Sequence, residues 1–121
     1  MITAAESWVM ELLWERSPMT AEEIVAAIAD KQEWSAATVR TLLNRLLNKG
    51  AVNAERDGRR YLYSPVTSRA AYVTAESQGL LDRLFGGRMA PLVSQFADQQ
   101  KLTREDIEQL KRLIDELDRG N

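Results

Sequence analysis

The sequence predicts a mainly α-helical protein with one small β-hairpin, and three observations support this fold class. The apolar residues in the stretch 39–47 recur at the i, i+3, i+4, i+7 spacing of one helix face. Asp57-Gly58 separates two stretches of strand-forming residues, which is a strong signal for a β-hairpin. From Val66 onward the pattern becomes helical again and is interrupted by glycine and proline. We therefore expect two domains, 1–66 and 67–121.

Composition argues against several kinds of site. The 121 residues include no cysteine and no histidine, which removes disulfides, cysteine nucleophiles, histidine bases and thiolate metal sites. No pair of carboxylates or phosphate-binding glycine loop stands out, so we expect neither a cofactor nor an enzyme. The sequence also lacks a membrane-spanning stretch and an N-terminal signal pattern, so a cytoplasmic location is expected.

The charges are unevenly distributed along the chain. Residues 1–34 contain two basic and seven acidic residues, a net charge of −5. Residues 35–70 contain seven basic and two acidic residues, a net charge of +5, and residues 71–121 contain seven and nine, a net charge of −2. The positive charge thus coincides with the amphipathic helix and the hairpin, as a nucleic-acid-binding surface requires.

Capping-box spacing predicts the first two helices. Thr3 with Glu6, and Thr20 with Glu23, have the spacing at which two side chains satisfy the free amides of a helix start. These helices are expected to end near residues 16 and 30, with a break at Ser17-Pro18.

Two further expectations concern this N-terminal region. The tryptophans of the first helix, Trp8 and Trp14, widen its apolar stripe, and we expect them in the core. Met19, which follows the proline, is expected to form a very short extended segment.

The third helix has two chemically different faces. Ser35 is suited to be its N-cap and Gly50 to end it. One face is apolar, and the other combines guanidinium, hydroxyl and amide groups without an acidic residue: Ala37, Arg40, Thr41, Asn44, Arg45 and Asn48. A helix, a short helix, a turn and such an amphipathic helix occur in the order of a helix-turn-helix. We therefore interpret the third helix as a DNA-recognition helix.

The hairpin that follows the third helix is basic. Its strands are predicted at 51–56 and 59–64 around a type I′ turn at Asp57-Gly58, and the arginines cluster at the turn: Arg56, Arg59 and Arg60. A basic hairpin after a recognition helix is the layout of a winged helix, whose wing lies along the phosphate backbone. We expect Arg59 and Arg60 to contact phosphates.

Three helices are predicted after the hairpin: one ending near Phe85, a short one around Pro91 and a last one after Thr103. Their apolar surface exceeds what about fifty residues can bury among themselves. We therefore expect a homodimer, with interface candidates Leu81, Leu84, Phe85, Leu92, Phe96, Ile107, Leu110 and Ile114.

Two stretches resemble the penicillinase repressor family of transcriptional regulators (the BlaI, MecI and CopY type). The first is EWSAATVRTLLNRLLNKG with the hairpin DGRRYLYSPV, and the second is LLDRLFGGRMAPLVSQFADQQKLTREDIEQLKRLI. The resemblance covers almost the whole chain. It implies an N-terminal winged helix and a C-terminal helical dimerisation domain in a repressor that binds palindromic operators. Such repressors silence β-lactamase, methicillin-resistance or copper-handling genes.

The resemblance also implies how the repressor is released from DNA. This chain differs from the family at the residues concerned. In the antibiotic-resistance branches, a membrane metalloprotease sensor is the partner that triggers cleavage of the repressor, commonly at an Asn-Phe bond. The matching position in this chain is Gln95-Phe96, so the candidate cleavage site keeps the phenylalanine and lacks the asparagine. Copper sensing through C-terminal cysteines is excluded, because the chain has no cysteine.

The resemblance assigns DNA contacts to the third helix. The family's recognition helix often begins Ser-Pro-Lys-Thr, whereas this chain has Ser35-Ala36-Ala37-Thr38 and therefore lacks one cationic contact. Contact with bases or phosphates is carried over to Thr38, Arg40, Thr41 and Arg45. We expect Thr41 and Arg40 to meet base edges, and Arg45 and the wing to meet phosphates. Ser35 can present the helix N-terminus to a phosphate.

Two alternatives remain open. The first is a repressor that responds to a ligand or metal through a site in its C-terminal region. The second belongs to another class: a winged-helix protein-interaction module without sequence-specific DNA binding. The outer face of the third helix argues against this module, because it is basic and has no acidic residue.

Overall fold

A computed structural model describes residues 2–120 of the chain. The described part consists of helices and one hairpin in the order α1 (Ala4–Glu15), α2 (Ala21–Ile28), α3 (Ala36–Asn48), β1 (Val52–Asp57), β2 (Arg60–Pro65), α4 (Arg69–Leu84), α5 (Met89–Asp98) and α6 (Arg104–Gly120). The predicted fold class, mainly α-helical with one hairpin, is confirmed. The chain forms two compact units that divide after Glu76, within α4.

The starts of α1 and α2 have the capping boxes that the sequence predicted. Thr3 Oγ1 accepts the amide of Glu6 at 3.1 Å, and Glu6 Oε1 accepts the amide of Thr3 at 2.8 Å. Thr20 and Glu23 form the same reciprocal pair at the start of α2. These bonds satisfy amides that have no partner within the helix, which explains why both helices begin at these positions.

The core of the first unit lies between α1, α2, α3 and the start of β1. Its fully or almost fully buried members include Val9, Leu13, Ile24, Val39 and Leu43. Side chains spaced by three or four residues along each helix meet there, so the three apolar stripes predicted from periodicity form one cluster. Burial of these stripes is the main contribution to the stability of this unit.

The tryptophans of α1 lie at the edge of the core and not inside it. Trp8 is 38% exposed, with the Lys31 ammonium 5.8 Å from its ring centroid. Trp14 is partly buried and donates its indole N–H to the carbonyl oxygen of Thr67 at 2.9 Å. The prediction that both are core residues is wrong for Trp8, because the buried face of α1 runs through Val9 and Leu13. Trp14 packs against the core but keeps part of its surface exposed.

The first turns of α4 belong to the first unit. The ring of Tyr72 lies 5.4 Å from that of Trp14, and its hydroxyl accepts the amide of Ile2 at 3.2 Å. Arg69 pairs with Glu11 on α1 at 3.0 Å. These contacts explain why the first compact unit includes the start of α4 up to Glu76.

The hairpin turn lies one residue later than predicted. Asp57 pairs with Arg60, so Gly58 and Arg59 form the two-residue loop. Of these two, Gly58 alone has a positive φ, +65°, which suits a type II′ turn with glycine first, and the predicted type I′ turn is wrong. The predicted register would have set Arg56 opposite Arg59, two like charges. The observed register sets Asp57 opposite Arg60 at 3.0 Å, which is favourable.

The hairpin is attached to the helical core through Met19. The amide of Met19 donates to the carbonyl oxygen of Tyr63 at 3.1 Å, and the amide of Tyr63 donates back at 2.8 Å. Met19 and Val52 are both buried. The short extended segment predicted at Met19 is confirmed, and it holds β2 beside the helices.

The second unit contains the remainder of α4, α5 and α6. Gly86 and Gly87, with φ of +59° and +78°, end α4, and the amide of Gly87 donates to the carbonyl oxygen of Leu81 at 2.8 Å. Thr103 and Asp106 exchange hydrogen bonds at the start of α6. Within the described residues, no side chain of α5 or α6 is buried. The excess of apolar surface that the sequence indicated is therefore present in the folded chain.

Candidate nucleic-acid interface

α3 presents a polar face to solvent because its opposite face is anchored in the core. Val39 and Leu43 are completely buried, and Leu42 and Leu46 are buried beside them. Ser35 caps the start of the helix, and Gly50, with φ of +74°, follows its end. This attachment fixes the direction of the exposed side chains, which is the requirement for reading base edges.

All eight residues predicted to contact DNA are exposed: Ser35, Thr38, Arg40, Thr41, Asn44, Arg45, Arg59 and Arg60. Three of them come together, because Arg40, Arg59 and Arg60 line one shallow hollow of about 170 Å³ between α2, α3 and the wing. Arg45 lies outside this hollow, more than one helical turn farther along α3. The surface therefore combines a cluster at the wing with a separate cation on the helix.

The hydroxyl groups at the start of α3 make local hydrogen bonds. Ser35 Oγ accepts the amide of Thr38 at 3.2 Å. Thr41 Oγ1 donates to the carbonyl oxygen of Ala37 at 3.0 Å. A hydroxyl has one donor and two acceptor lone pairs, so in this conformation Thr41 retains only acceptor capacity. It can then accept a hydrogen bond from the exocyclic amino group of cytosine or adenine in a major groove.

The arginines of this surface differ in whether a carboxylate already binds them. The paired ones are Arg40, 2.6 Å from Glu22, and Arg60, 3.0 Å from Asp57. Arg45 and Arg59 have no carboxylate within 4.0 Å in residues 2–120. A phosphate can bind these two without displacing a protein carboxylate, so they are the stronger candidates for backbone contacts.

A buried ion pair anchors the C-terminal end of α3. Lys49 Nζ donates to Oε1 of Glu6 at 2.6 Å, and Glu6 is completely buried. Burial by itself raises the pKa of Glu6, but the hydrogen bonds from Lys49 and Thr3 outweigh it, and the pKa is lowered from its ordinary value. Glu6 therefore remains a carboxylate at neutral pH and connects the start of α1 to the end of the recognition helix.

Sequence reasoning did not place Glu22 and Tyr61 in the hollow, which both residues line. Glu22 lies 18 positions before Arg40 in the chain, and only the packing of α2 on α3 brings them together. Tyr61 belongs to the predicted second strand, and it is 48% exposed where it lines the hollow. Beside it, burial raises the pKa of Tyr63, so this hydroxyl stays protonated across the physiological range. The sequence offered one indication that Glu22 could lie near the third helix: it is an acidic residue in the first turn of the second helix.

The residues predicted for dimerisation lie on α4, α5 and α6, except Phe85, which directly follows α4, and they differ in exposure. Leu84, Phe96 and Ile114 are exposed, Phe85, Leu92, Ile107 and Leu110 are partly buried, and Leu81 is buried. Seven of the eight therefore retain surface that a second protomer could cover. Leu81, with 3% exposure, contributes to the interior of the chain instead.

The candidate cleavage site Gln95-Phe96 lies within α5, and both side chains are exposed. In the described part of the chain, no helix has the length and apolar character of a membrane span. The same residues contain no cluster of His, Cys, Asp and Glu that could hold a metal ion.

Comparison with known proteins supports a single family. The model of the family described as penicillinase repressor matches residues 2–116. The chain is 30% identical over 115 residues to the penicillinase repressor of Bacillus licheniformis, which covers 95% of this chain and 90% of that protein. It is 31% identical over 116 residues to the penicillinase repressor of Staphylococcus aureus, and the match covers 96% of this chain and 92% of that protein.

A solved structure extends this likeness to the three-dimensional fold. It is the monomeric form of Bacillus licheniformis BlaI in complex with the blaP half-operator, with 33% identity and a TM-score of 0.52. The match covers 60% of this chain and 88% of that chain.

Proposed function

Since this chain belongs to the penicillinase repressor family and is a DNA-binding transcriptional repressor, not an enzyme, we propose that it acts as a homodimer on a palindromic operator. The observation that carries the proposal is the exposed, acid-free face of α3 beside a basic wing. The related BlaI domain, 33% identical, was solved on a half-operator. A half-operator for one monomer implies that the full site takes two copies.

In this proposal, α3 enters the major groove and the wing follows the phosphate backbone. Arg40 and Thr41 face base edges, and Thr38 and Asn44 lie on the same exposed side. Arg45 and Arg59, which have no carboxylate partner in residues 2–120, bind phosphates and set the register. The N-cap Ser35 presents the positive end of the helix dipole to a phosphate.

Dimerisation follows from the second unit. The exposed apolar residues of α6, Leu113, Ile114 and Leu117, lie at the i, i+1 and i+4 positions of one helix side. Two copies related by a two-fold axis can bury these residues against each other and place their recognition helices about 34–36 Å apart, one turn of DNA. Linking two half-site contacts in this way raises affinity about 100-fold or more over a single contact.

The test begins with a selection of bound sequences from random duplex DNA, followed by gel-shift titration. We expect the selected site to be palindromic, to bind two protomers, and to be preferred over a scrambled duplex in the presence of competitor DNA. The rival, a protein-interaction module, predicts binding without sequence preference. Equal affinity for selected and scrambled DNA would therefore overturn the proposed function.

Arg45→Ala tests the phosphate contact. The variant removes one cation that has no carboxylate partner in the described residues, so it should weaken binding to operator and scrambled DNA alike. The slope of log affinity against log salt should decrease by about 0.9, the release of one counterion. An unchanged slope would contradict a phosphate role for Arg45, whereas loss of sequence preference alone would indicate a base contact.

Release by proteolysis is a separate proposal. Truncation after Gln95 removes the end of α5 and all of α6, and with them the apolar surface proposed for dimerisation. We expect the truncated chain to be monomeric and to lose about 100-fold or more in operator affinity. Undiminished affinity would exclude release through loss of dimerisation. Incubation of the intact repressor with a membrane metalloprotease sensor, followed by mass analysis, tests whether Gln95-Phe96 is the bond that is cut.

A further inference from the structure

The DNA-facing surface of the first unit contains a carboxylate next to the recognition helix. Glu22 is the second residue of α2, and its Oε1 accepts a hydrogen bond from Arg40 Nη2 at 2.6 Å. A carboxylate here is unexpected, because it repels the phosphates that a DNA-binding surface attracts. The pair therefore needs an explanation beyond general electrostatic attraction to DNA.

Stability does not explain the pair. The side chains of Arg40 and Glu22 are 54% and 65% exposed, and exposed ion pairs contribute little to folding because water and salt screen them. Nor does the carboxylate serve to cap α2, since Thr20 and Glu23 satisfy the first amides of that helix. The consequence of the contact is geometric: it restrains the direction of a long side chain on the recognition helix.

An arginine that is hydrogen-bonded through one nitrogen still has N–H groups that can donate to a base. The guanidinium has five N–H groups in a rigid plane, and Glu22 Oε1 accepts from Nη2. Arg40 also lines the hollow that contains Arg59, Arg60 and Tyr61, so its side chain lies beside the wing. A planar group fixed at one corner presents its remaining donors in one direction, as bidentate recognition of a base requires.

On this basis, we propose that Glu22 is a specificity-determining positioning residue, which holds Arg40 for a base edge and away from the phosphate backbone. The inference rests on the proposed function, in which α3 enters the major groove. Glu22 has two effects. It orients Arg40 before binding, which favours the correct base and increases the ratio of operator affinity to non-specific affinity. Its negative charge also weakens binding to DNA of any sequence, which lowers both affinities alike and leaves that ratio unchanged.

The matched variants are Glu22→Gln and Glu23→Gln. Both remove one negative charge from the first turn of α2, and glutamine is accepted in the capping box at position 23. They differ in that Glu22 contacts Arg40, whereas the hydrogen bonds of Glu23 are made with Thr20. The full-length protein is used, with the palindromic site selected from random DNA and a scrambled duplex as the two probes. Equal melting temperatures of Glu22→Gln and the unmodified protein establish that the fold is retained.

We expect Glu22→Gln to bind the scrambled duplex more tightly and to lose about tenfold in the ratio of operator to scrambled affinity, the discrimination of one good arginine–base contact. Discrimination should be lost at one base pair of each half-site. Glu23→Gln should keep the ratio within about twofold, as expected for a surface charge without a base contact. In the Arg40→Ala background, Glu22→Gln should cause no further loss of discrimination, since the residue it positions is absent.

Two results would overturn the inference. If Glu22→Gln strengthens binding to operator and scrambled DNA by the same factor, Glu22 is only a repelling charge that phosphates displace from Arg40. If Glu22→Gln and Glu23→Gln have equal effects, contact with Arg40 is irrelevant. Failure of the proposed function is distinguishable from both, because the unmodified protein would then show no preference for the selected site.

Discussion

The two compact units of this chain differ in how they bury apolar side chains. In the first, up to Glu76, three helices and the start of the hairpin enclose a continuous core whose central residues, such as Leu43 and Ile24, are inaccessible to solvent. In the second, from Ser77, α5 and α6 bury no side chain within the described residues, although both carry apolar stripes. The first unit thus encloses its own core, whereas the second leaves apolar surface exposed, which agrees with the homodimer that we propose.

This difference matches the two tasks of the homodimeric repressor that we propose. A DNA-reading unit must hold its recognition helix rigidly in each protomer, so its core has to be complete within one chain. An association unit can leave its apolar side chains exposed until the partner covers them, which couples its folding energy to protein concentration. Exposed residues of α6 such as Leu113 and Leu117 would then be core residues of the dimer and not of the protomer.

The largest expected effect tests this division directly. Leu43→Ala in the first unit should lower the free energy of unfolding by about 2–5 kcal/mol, because it leaves a cavity in a closed core. Leu113→Ala in the second unit, where the side chain is 51% exposed, should change the stability of the isolated protomer by about 0.5 kcal/mol or less. Chemical denaturation of both variants at several protein concentrations provides the measurement.

The dependence of the stability loss on protein concentration shows whether Leu113 lies in a homodimer interface. If Leu113 lies in a homodimer interface, the loss caused by Leu113→Ala should grow as protein concentration rises above the dissociation constant of the dimer, whereas the effect of Leu43→Ala should not. A loss that is large and independent of concentration would mean that the second unit has an interior of its own.

A smaller effect is expected for the buried ion pair of the first unit. Glu6→Gln keeps the size of the side chain but removes the charge that binds Lys49, whose own side chain is 37% exposed and can recover water. We expect a loss of about 1–3 kcal/mol, between the values for exposed and fully buried pairs. Thermal or urea denaturation at pH 7 measures it.

The pH dependence of this loss has a definite sign. Hydrogen bonds from Lys49 and Thr3 lower the pKa of Glu6 below its ordinary value of 4.5, even though burial raises it. A lowered pKa in the folded state gives stability that is fully present above the unfolded pKa and disappears as pH falls through the folded pKa. The difference between the unmodified protein and Glu6→Gln should thus be constant from pH 6 to 8 and shrink below about pH 4.5. A difference that increases on acidification would contradict a charged Glu6.

The smallest effect concerns Gly79 in α4. A methyl group at this position would meet nothing within 4 Å in the protomer, so no close approach within the chain explains the glycine. Gly79→Ala should therefore raise the free energy of unfolding by about 1 kcal/mol through helix propensity alone. If the partner protomer packs against α4 here, the sign reverses and dimerisation weakens, which analytical ultracentrifugation of the same variant would detect.

Much of the fold could be predicted because its determinants are local. The capping boxes at Thr3 and Thr20, the N-cap Ser35 and the apolar stripe of α3 each involve residues within one or two helical turns. Such contacts depend only on residues close together in the chain, so a few neighbouring residues are sufficient to predict them. The exposed polar face of α3 followed directly from its buried face, and so did the exposure of the six candidate contact residues from Ser35 to Arg45.

The errors arose where a choice depended on residues far apart in the chain or on opposite strands. The hairpin turn moved by one residue because the cross-strand pair of Asp57 and Arg60 is better than two opposed arginines. Trp8 lies outside the core because three helices, not one, determine which face of α1 is enclosed. Its side chain is apolar enough for a core, so composition alone could not show whether it is buried.

The sequence by itself determined the helices, their caps, the basic wing and an excess of apolar surface in the C-terminal half, because these depend on neighbours along the chain. The tertiary structure alone decided that Glu6 is buried against Lys49 and that Glu22 pairs with Arg40 at the candidate DNA-contacting surface. Those partners are 43 and 18 residues apart, and no periodicity or spacing connects them. Only the packing of α1 and α2 on α3 brings each carboxylate to its cation, since an ion pair depends on distance in space.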